Sequence, residues 1–219
     1  YPLYNIPLKK NDKYYFFKRE GKQNQSVLYV QDSIGAEPAI VLDPNILSED
    51  GTVALSQISF SKDGKYLAYS IARSGSDWNE IYVLDLHSGK LLSDRLEWVK
   101  FSGISWQGNG FYYSGYDAPE SGKEYSGKNE YHKVYFHEAG TTQRQDKLIF
   151  EDKKHPLRNV NAGTSDDEKY LFISQTESTS GNTLQIKDLT RHGSPWITIS
   201  GGFDADYNVI DDVNGNIFI

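Results

Sequence analysis

Several stretches of the chain bring together residue types that could do chemistry. Ser105 lies in GISWQ at 103–107, close to the Gly-x-Ser-x-Gly turn that exposes a nucleophilic serine, but Gln107 stands where the second glycine is needed. Residues 122–129, GKEYSGKN, approach the phosphate-cradling pattern GxxxxGK[ST], yet Asn129 occupies the position from which a hydroxyl must reach Mg²⁺. Asp204, Asp206 and Asn208 have the opening spacing of a calcium loop, with Val209 in place of the glycine that makes its turn. Asp212, Asn214 and Gly215 match the middle of such a loop, with Ile210 at its first ligand position. The 5 histidines form no HExxH, and His132 and His137 are expected on one strand, pointing to opposite faces. With no cysteine there is no disulfide, thiolate zinc site or cysteine nucleophile. No catalytic residue, metal site or cofactor is expected within the chain, and the sequon at Asn24 has no context to support it.

The elements that would carry these residues repeat. A strand reads KYYFFK from Lys13, KYLAYS from Lys65, GFYYSG from Gly110 and KYLFIS from Lys169, and a fifth copy, NIFI, begins at Asn216. The starts lie roughly 45 to 60 residues apart, the range of propeller blades and solenoids. Each copy follows a short strand and a tight polar turn: SKDGK from Ser61, QGNG from Gln107, SDDEK from Ser165 and NGN from Asn214. Asp-Gly and Asn-Gly supply the positive φ that hairpin turns require. A third strand follows (SVLYVQD, EIYVLDL, KVYFHE, TLQIKDL), then a more polar fourth (PAIVLD, KLLSD, KLIFED, PWITIS). Four antiparallel strands per unit, repeated radially, predict an all-β fold, a β-propeller with blades near 1–44, 45–96, 97–152, 153–200 and a partial blade at 201–219. A large sandwich or barrel is the competing all-β architecture, and regular repetition of one strand-turn-strand signature argues against it.

Composition agrees. The 219 residues include 16 Tyr and 10 Phe, side chains suited to a pleated, half-buried surface. A net charge of −7 with scattered Lys and Arg disfavours nucleic acid. No apolar run is long enough to cross a membrane, and no membrane partner is expected. The chain opens on Tyr1 rather than Met and its last unit stops midway, so a longer parent is expected, about four and a half blades of it being present. Open blade faces would then be apolar, and self-association is expected, to be read by light scattering after gel filtration.

Two strings exceed what the repeat demands: DPNILSEDGTVAL at 43–55 and SGSDW at 74–78. With the intervening FSKDGKYLAYS, QNQSVLYVQDS at 23–33, LEWVKFSGISW at 96–106 and HKVYFHEAGT at 132–141, they resemble the propeller domain of the prolyl oligopeptidase family. The resemblance runs along the whole chain and weakens after about Ser178. It implies a seven-bladed propeller capping an α/β-hydrolase domain whose Ser, Asp and His lie outside this chain. The implied activity of the parent is serine-peptidase cleavage of short peptides after proline. The chain alone would be an inactive, substrate-gating cover, with proline-containing peptides and the catalytic domain as partners.

The resemblance also implies roles for three residues. Asp77, in SGSDW, matches an aspartate at the face between propeller and peptidase. Phe101, in VKFS, matches an aromatic of the subsite for the residue two before the substrate proline. Ile149 matches a position that is cysteine in some members, keeping apolar packing without the thiol. Strand order places Asp77 between second and third strands, and Phe101 between a fourth strand and the next first strand, loop classes that emerge on one face of an up-and-down blade. Without the resemblance, Asp77 reads as a turn cap and Phe101 as packing between blades. The alternatives are a non-enzymatic interaction propeller and the propeller of a related oligopeptidase. A cytoplasmic location is expected, with the periplasm as alternative.

Overall fold

Turn residues and aromatic runs divide the chain into short antiparallel strands. The structure, a computed structural model, describes residues 1–122, 127–213 and 215–219. Residues 123–126 of the phosphate-loop stretch at 122–129, and Asn214 of the second calcium-like spacing, therefore lie outside the described residues. Contacts divide the chain into two units, Tyr1–Arg95 and Leu96–Ile219.

The first unit opens with β1 (Leu3–Tyr4) and β2 (Leu8–Lys10), both pairing with β3 (Lys13–Arg19). Pro7 cannot donate to the ladder, and Asn5 fills the gap: its N–H donates to Phe17 O at 3.2 Å and its Oδ1 accepts from Phe17 N at 2.6 Å. β4 (Val27–Gln31) and β5 (Ala39–Leu42) complete that sheet. Next come β6 (Val53–Phe60), β7 (Tyr66–Arg73), β8 (Asn79–Asp85) and β9 (Lys90–Val99), consecutive antiparallel neighbours. The fourth strand expected from KLLSD is longer than the motif, because β9 continues to Val99.

Tyr15, Leu28 and Leu42 from the first sheet pack with Val53, Leu67, Tyr69, Ile71 and Leu84 from the second. The string beginning DPN helps to join them. Asp43 Oδ1 accepts from the backbone and side-chain nitrogens of Asn45, each at 2.9 Å, and Asn45 in turn brackets the backbone of Gln25. The Gln25 amide then donates to Val53 O at 2.7 Å and accepts from Leu55 N at 2.8 Å. Part of this family string is thus a polar staple between two sheets, satisfying backbone groups that their packing would otherwise orphan.

The second unit contains β10 (Ser105–Gln107), β11 (Gly110–Gly115), β12 (Lys133–Glu138) and β13 (Lys147–Glu151), antiparallel in that order. A 4-stranded sheet follows, β14 (Asn159–Thr164), β15 (Tyr170–Thr176), β16 (Thr183–Asp188) and β17 (Trp196–Ser200), then the hairpin β18 (Asp211–Val213) and β19 (Asn216–Phe218). All of β11 is buried, so its residues do not alternate between core and solvent. Tyr112 and Val134 pack with Val160, Leu171 and Ile173, and full burial of such a side chain contributes about 1.5–3 kcal/mol.

Two devices recur that the motifs only hint at. Ser61 Oγ accepts from Tyr66 N at 2.9 Å and bonds Asp63, and Ser165 does the same with Tyr170 N at 3.0 Å and Asp167. The Lys65 backbone N–H and then the Ser61 hydroxyl hold the Asp63 carboxyl below its ordinary range, and the Lys169 side chain does most to lower Asp167. The third and fourth strands also slip register at matching places, between Leu28 and Tyr29, Val134 and Tyr135, and Leu184 and Gln185. Such bulges increase local twist. Among the described residues no helix is long and apolar enough to cross a membrane.

Candidate functional site

The tempting catalytic stretches are structural. Ser105 sits on β10, where its hydroxyl donates to Ala162 O at 3.2 Å, and no strand-to-helix turn exposes it. Among the described residues no group of three His, Cys, Asp or Glu could hold a metal ion. His132 precedes β12 rather than lying on it with His137, which corrects the expected strand pair; both rings are buried, each with polar partners. His137 Nδ1 and Asp146 Oδ1 are 2.6 Å apart, and the Tyr113 hydroxyl donates to the other oxygen of Asp146 at 2.7 Å. A His-Asp pair is the orienting half of a hydrolytic triad. Here the hydroxyl in the network belongs to Tyr113, whose ionisation is pushed well up, first by burial and then by its bond to Asp146. Gln143 completes the network, donating to Tyr113 Oη at 3.2 Å and to Glu97 O at 3.0 Å. The group ties a loop to three strands, β9, β11 and β12, and offers no serine or cysteine.

Asp77 lies in the hairpin between β7 and β8. Ser74 and Gly75 have φ of 50° and 70°, and Ser76 N donates back to Arg73 O at 2.9 Å, the signature of a type I′ turn. Glycine removes the steric penalty from one of these positions. Ser76 Oγ accepts from Trp78 N at 3.1 Å, and Asn79 Nδ2 donates to Asp77 O at 3.2 Å. The mouth of the hairpin is braced by Arg73, whose Nε and a terminal nitrogen reach the two oxygens of Glu80 at 2.9 and 3.1 Å. Burial pushes the Glu80 carboxyl up, but hydrogen bonds from Arg73 and Tyr82 outweigh it and hold the group below its ordinary value. Asp77 is exposed on this hydrogen-bonded turn.

Phe101 occupies a different kind of turn. It follows β9, and both Trp98 (φ 59°) and Phe101 (φ 50°) adopt the left-handed conformation, which costs a non-glycine residue about 1–2 kcal/mol. Bulky residues at positive φ persist only where surroundings enforce them, and such strain clusters at functional sites. Phe101 is nevertheless 55% exposed, with Lys100 Nζ 5.3 Å from its ring centre.

The enforcing contacts come from far along the chain. Gly115 pairs with Val99, and a Cβ added to Gly115 would stand 2.8 Å from Trp98 O. Tyr116 N donates to that same Trp98 O at 3.0 Å. His132 Nε2 lies 2.9 Å from Lys100 O, while Val160 N donates to its Nδ1 at 3.0 Å. The Val160 bond requires an acceptor at Nδ1, so the proton of the neutral ring is on Nε2, donating to Lys100. The ring stacks on Tyr116, centres 4.4 Å apart, and burial pushes its pKa down to about 4 despite the Lys100 bond. Ser102 Oγ accepts from Ser114 N at 2.7 Å, fixing the far side of the turn.

Ile149 is on β13, half-buried against the cluster of Tyr112, Val134 and Val160. Its observed contacts are therefore those of packing. Trp98, Gly115 and His132 escaped the sequence reading as parts of a site. The motif HKVYFH did contain His132, but its link to Lys100, across 32 residues, has no local sequence signature.

Residues 1–219 match the family described as prolyl oligopeptidase, N-terminal beta-propeller domain. Over its whole length the chain is 46% identical to prolyl endopeptidase of Elizabethkingia meningoseptica and 43% identical to that of Elizabethkingia miricola, covering 31% of each. In structure it is similar to prolyl oligopeptidase B of Galerina marginata, solved bound to a 35mer hydrolysis and macrocyclization substrate. The TM-score is 0.89 at 30% identity, over 99% of this chain and 34% of that one. The chain thus spans about a third of the length of the relatives it matches. Agreement along the full chain, in sequence and in antiparallel four-stranded units, shows that it belongs to the prolyl oligopeptidase family, as part of the N-terminal β-propeller domain.

Proposed function

We propose that this chain is part of the substrate-gating cover of a serine peptidase that cleaves short peptides on the carboxyl side of proline. Its contribution is steric and positional. A propeller over the active site admits short, flexible peptides and excludes folded ones, while bond cleavage belongs to a hydrolase domain that this stretch of sequence does not contain. In this reading Asp77 faces the peptidase domain, Phe101 lines the subsite for the residue two before proline, and Ile149 supports that wall.

The strained turn at Phe101 carries the reading. An aromatic residue held at positive φ and left exposed is costly for folding and gains little packing in return, which is the pattern expected where a side chain is displayed for a ligand. Membership of a family whose bacterial relatives are prolyl endopeptidases supplies the ligand class.

The test is to express the full reading frame that contains this chain, and the chain alone, and to assay both with chromogenic Gly-Pro and Phe-Gly-Pro substrates. Turnover is expected from the full protein and none from the chain. Phe101→Ala in the full protein should raise KM for Phe-Gly-Pro several-fold more than for Gly-Pro. Turnover by the chain alone, or a full protein that does not cleave after proline, would overturn the proposal.

A further inference from the structure

The strained turn has two carbonyl handles, and each is gripped by a residue from beyond β11. Trp98 O accepts from Tyr116 N at 3.0 Å, and Lys100 O accepts from His132 Nε2 at 2.9 Å. These grips are joined to each other. The His132 ring stacks on Tyr116, His132 Nδ1 is held by Val160 N at 3.0 Å, and the Tyr116 hydroxyl donates to Asn159 Oδ1 at 3.1 Å. The start of β14 therefore anchors both rings, and both rings anchor the turn that carries Phe101.

We propose that His132 is a positioning residue for Phe101: it clamps Lys100 O and Val160 N–H at once and thereby fixes the displayed aromatic for substrate. The inference rests on the reading that Phe101 lines a substrate subsite. The chemistry of imidazole explains the residue type. A neutral ring offers one donor and one acceptor on opposite edges of a flat body that can also stack. Phenylalanine keeps the stack and loses both bonds, whereas glutamine carries a donor and an acceptor on a flexible stem. His132 is 1% exposed, so water cannot replace either bond without opening the turn.

The test compares His132→Phe, His132→Gln and Phe101→Ala in the full peptidase, with Phe-Gly-Pro and Gly-Pro substrates, and measures amide exchange of residues 99–103 and Val160 in the same proteins. His132→Phe should raise KM for Phe-Gly-Pro several-fold, by no more than Phe101→Ala does, leave kcat within about twofold and leave KM for Gly-Pro unchanged, and His132→Gln should recover most of the loss. Exchange at Val160 and through the turn should speed up about tenfold in His132→Phe. Equal changes for both substrates would mark His132 as merely structural and overturn the proposal, as would unaltered exchange in the turn. If His132→Phe does not fold, His132→Leu, which also loses both bonds, takes its place: a selective rise in KM for Phe-Gly-Pro with faster exchange in the turn supports the clamp, and unaltered exchange or a parallel loss on both substrates overturns it. If Phe101→Ala leaves the ratio of the two KM values unaltered, the subsite reading fails, and the exchange of the turn alone then decides the clamp.

Discussion

The turns that display Asp77 and Phe101 solve one problem in opposite ways. At Ser74–Trp78 most of the support is local: a glycine takes one positive φ, a serine side chain caps the turn, and the hairpin is closed by Arg73 and Glu80, seven residues apart, while Ser74 N donates to Thr52 O at 2.9 Å on the neighbouring strand side. At Trp98–Ser102 the chain supplies no glycine at the two strained positions, and the conformation is enforced by Gly115, Tyr116, His132 and Ser114. A polar display residue can be carried by a turn whose support is mainly local. An aromatic at positive φ depends on tertiary contacts, and its position should fail when any of them fails.

Acid should separate the two turns most. The folded-state pKa of His132 is held down to about 4 from an ordinary 6.5, so the native state binds fewer protons than the unfolded chain between those values. Its contribution to stability is complete above pH 6.5 and is lost as pH falls from there toward 4, by up to about 3 kcal/mol. Urea unfolding of wild type and His132→Gln across this range should show the limb in the first and a flatter curve in the second. Equal slopes would remove the distinction between the turns.

A smaller effect is expected from Gly115→Ala, whose added methyl would press on Trp98 O at 2.8 Å. Backbone cannot yield as a side-chain end can, so stability should drop by about 2 kcal/mol, and amide shifts should change along residues 98–102. Smallest of all, Ser76→Ala removes one turn-capping bond at an exposed hairpin and should cost about 1 kcal/mol or less, with the Asp77 backbone unmoved by amide shifts. A Ser76→Ala loss as large as that of Gly115→Ala would remove the expected ranking of the two turns.

The repeat was legible because its signals are local. The turn at Asp63–Gly64 and the strand signatures of β7, β11 and β15 lie within a few residues of what they specify, although at 107–110 the positive φ falls on Gly108 and not on the Asn-Gly pair. Asp77 could be placed on a loop for the same reason. The function of the string beginning DPN was only half legible. Its departure from the repeat pointed to a family, but its staple to Gln25 spans 20 residues and is visible only once two sheets are packed. The expectation that His132 shares a strand with His137 failed because β12 begins one residue later, at Lys133.

What the sequence determined by itself was the periodic part: all-β strands, their order within a unit, the turns that join them and the family strings. Hairpin pairing needs only alternation and turn chemistry, both written in consecutive residues. The tertiary structure alone decided which rings are core and which are displayed. Phe101 and Phe111 are the same residue type ten positions apart, yet one is 55% exposed and the other fully buried. The difference comes from Gly115, Tyr116 and His132, whose contacts with the turn, His132 being held in turn by Val160, form only when β11, β12 and β14 have assembled around it.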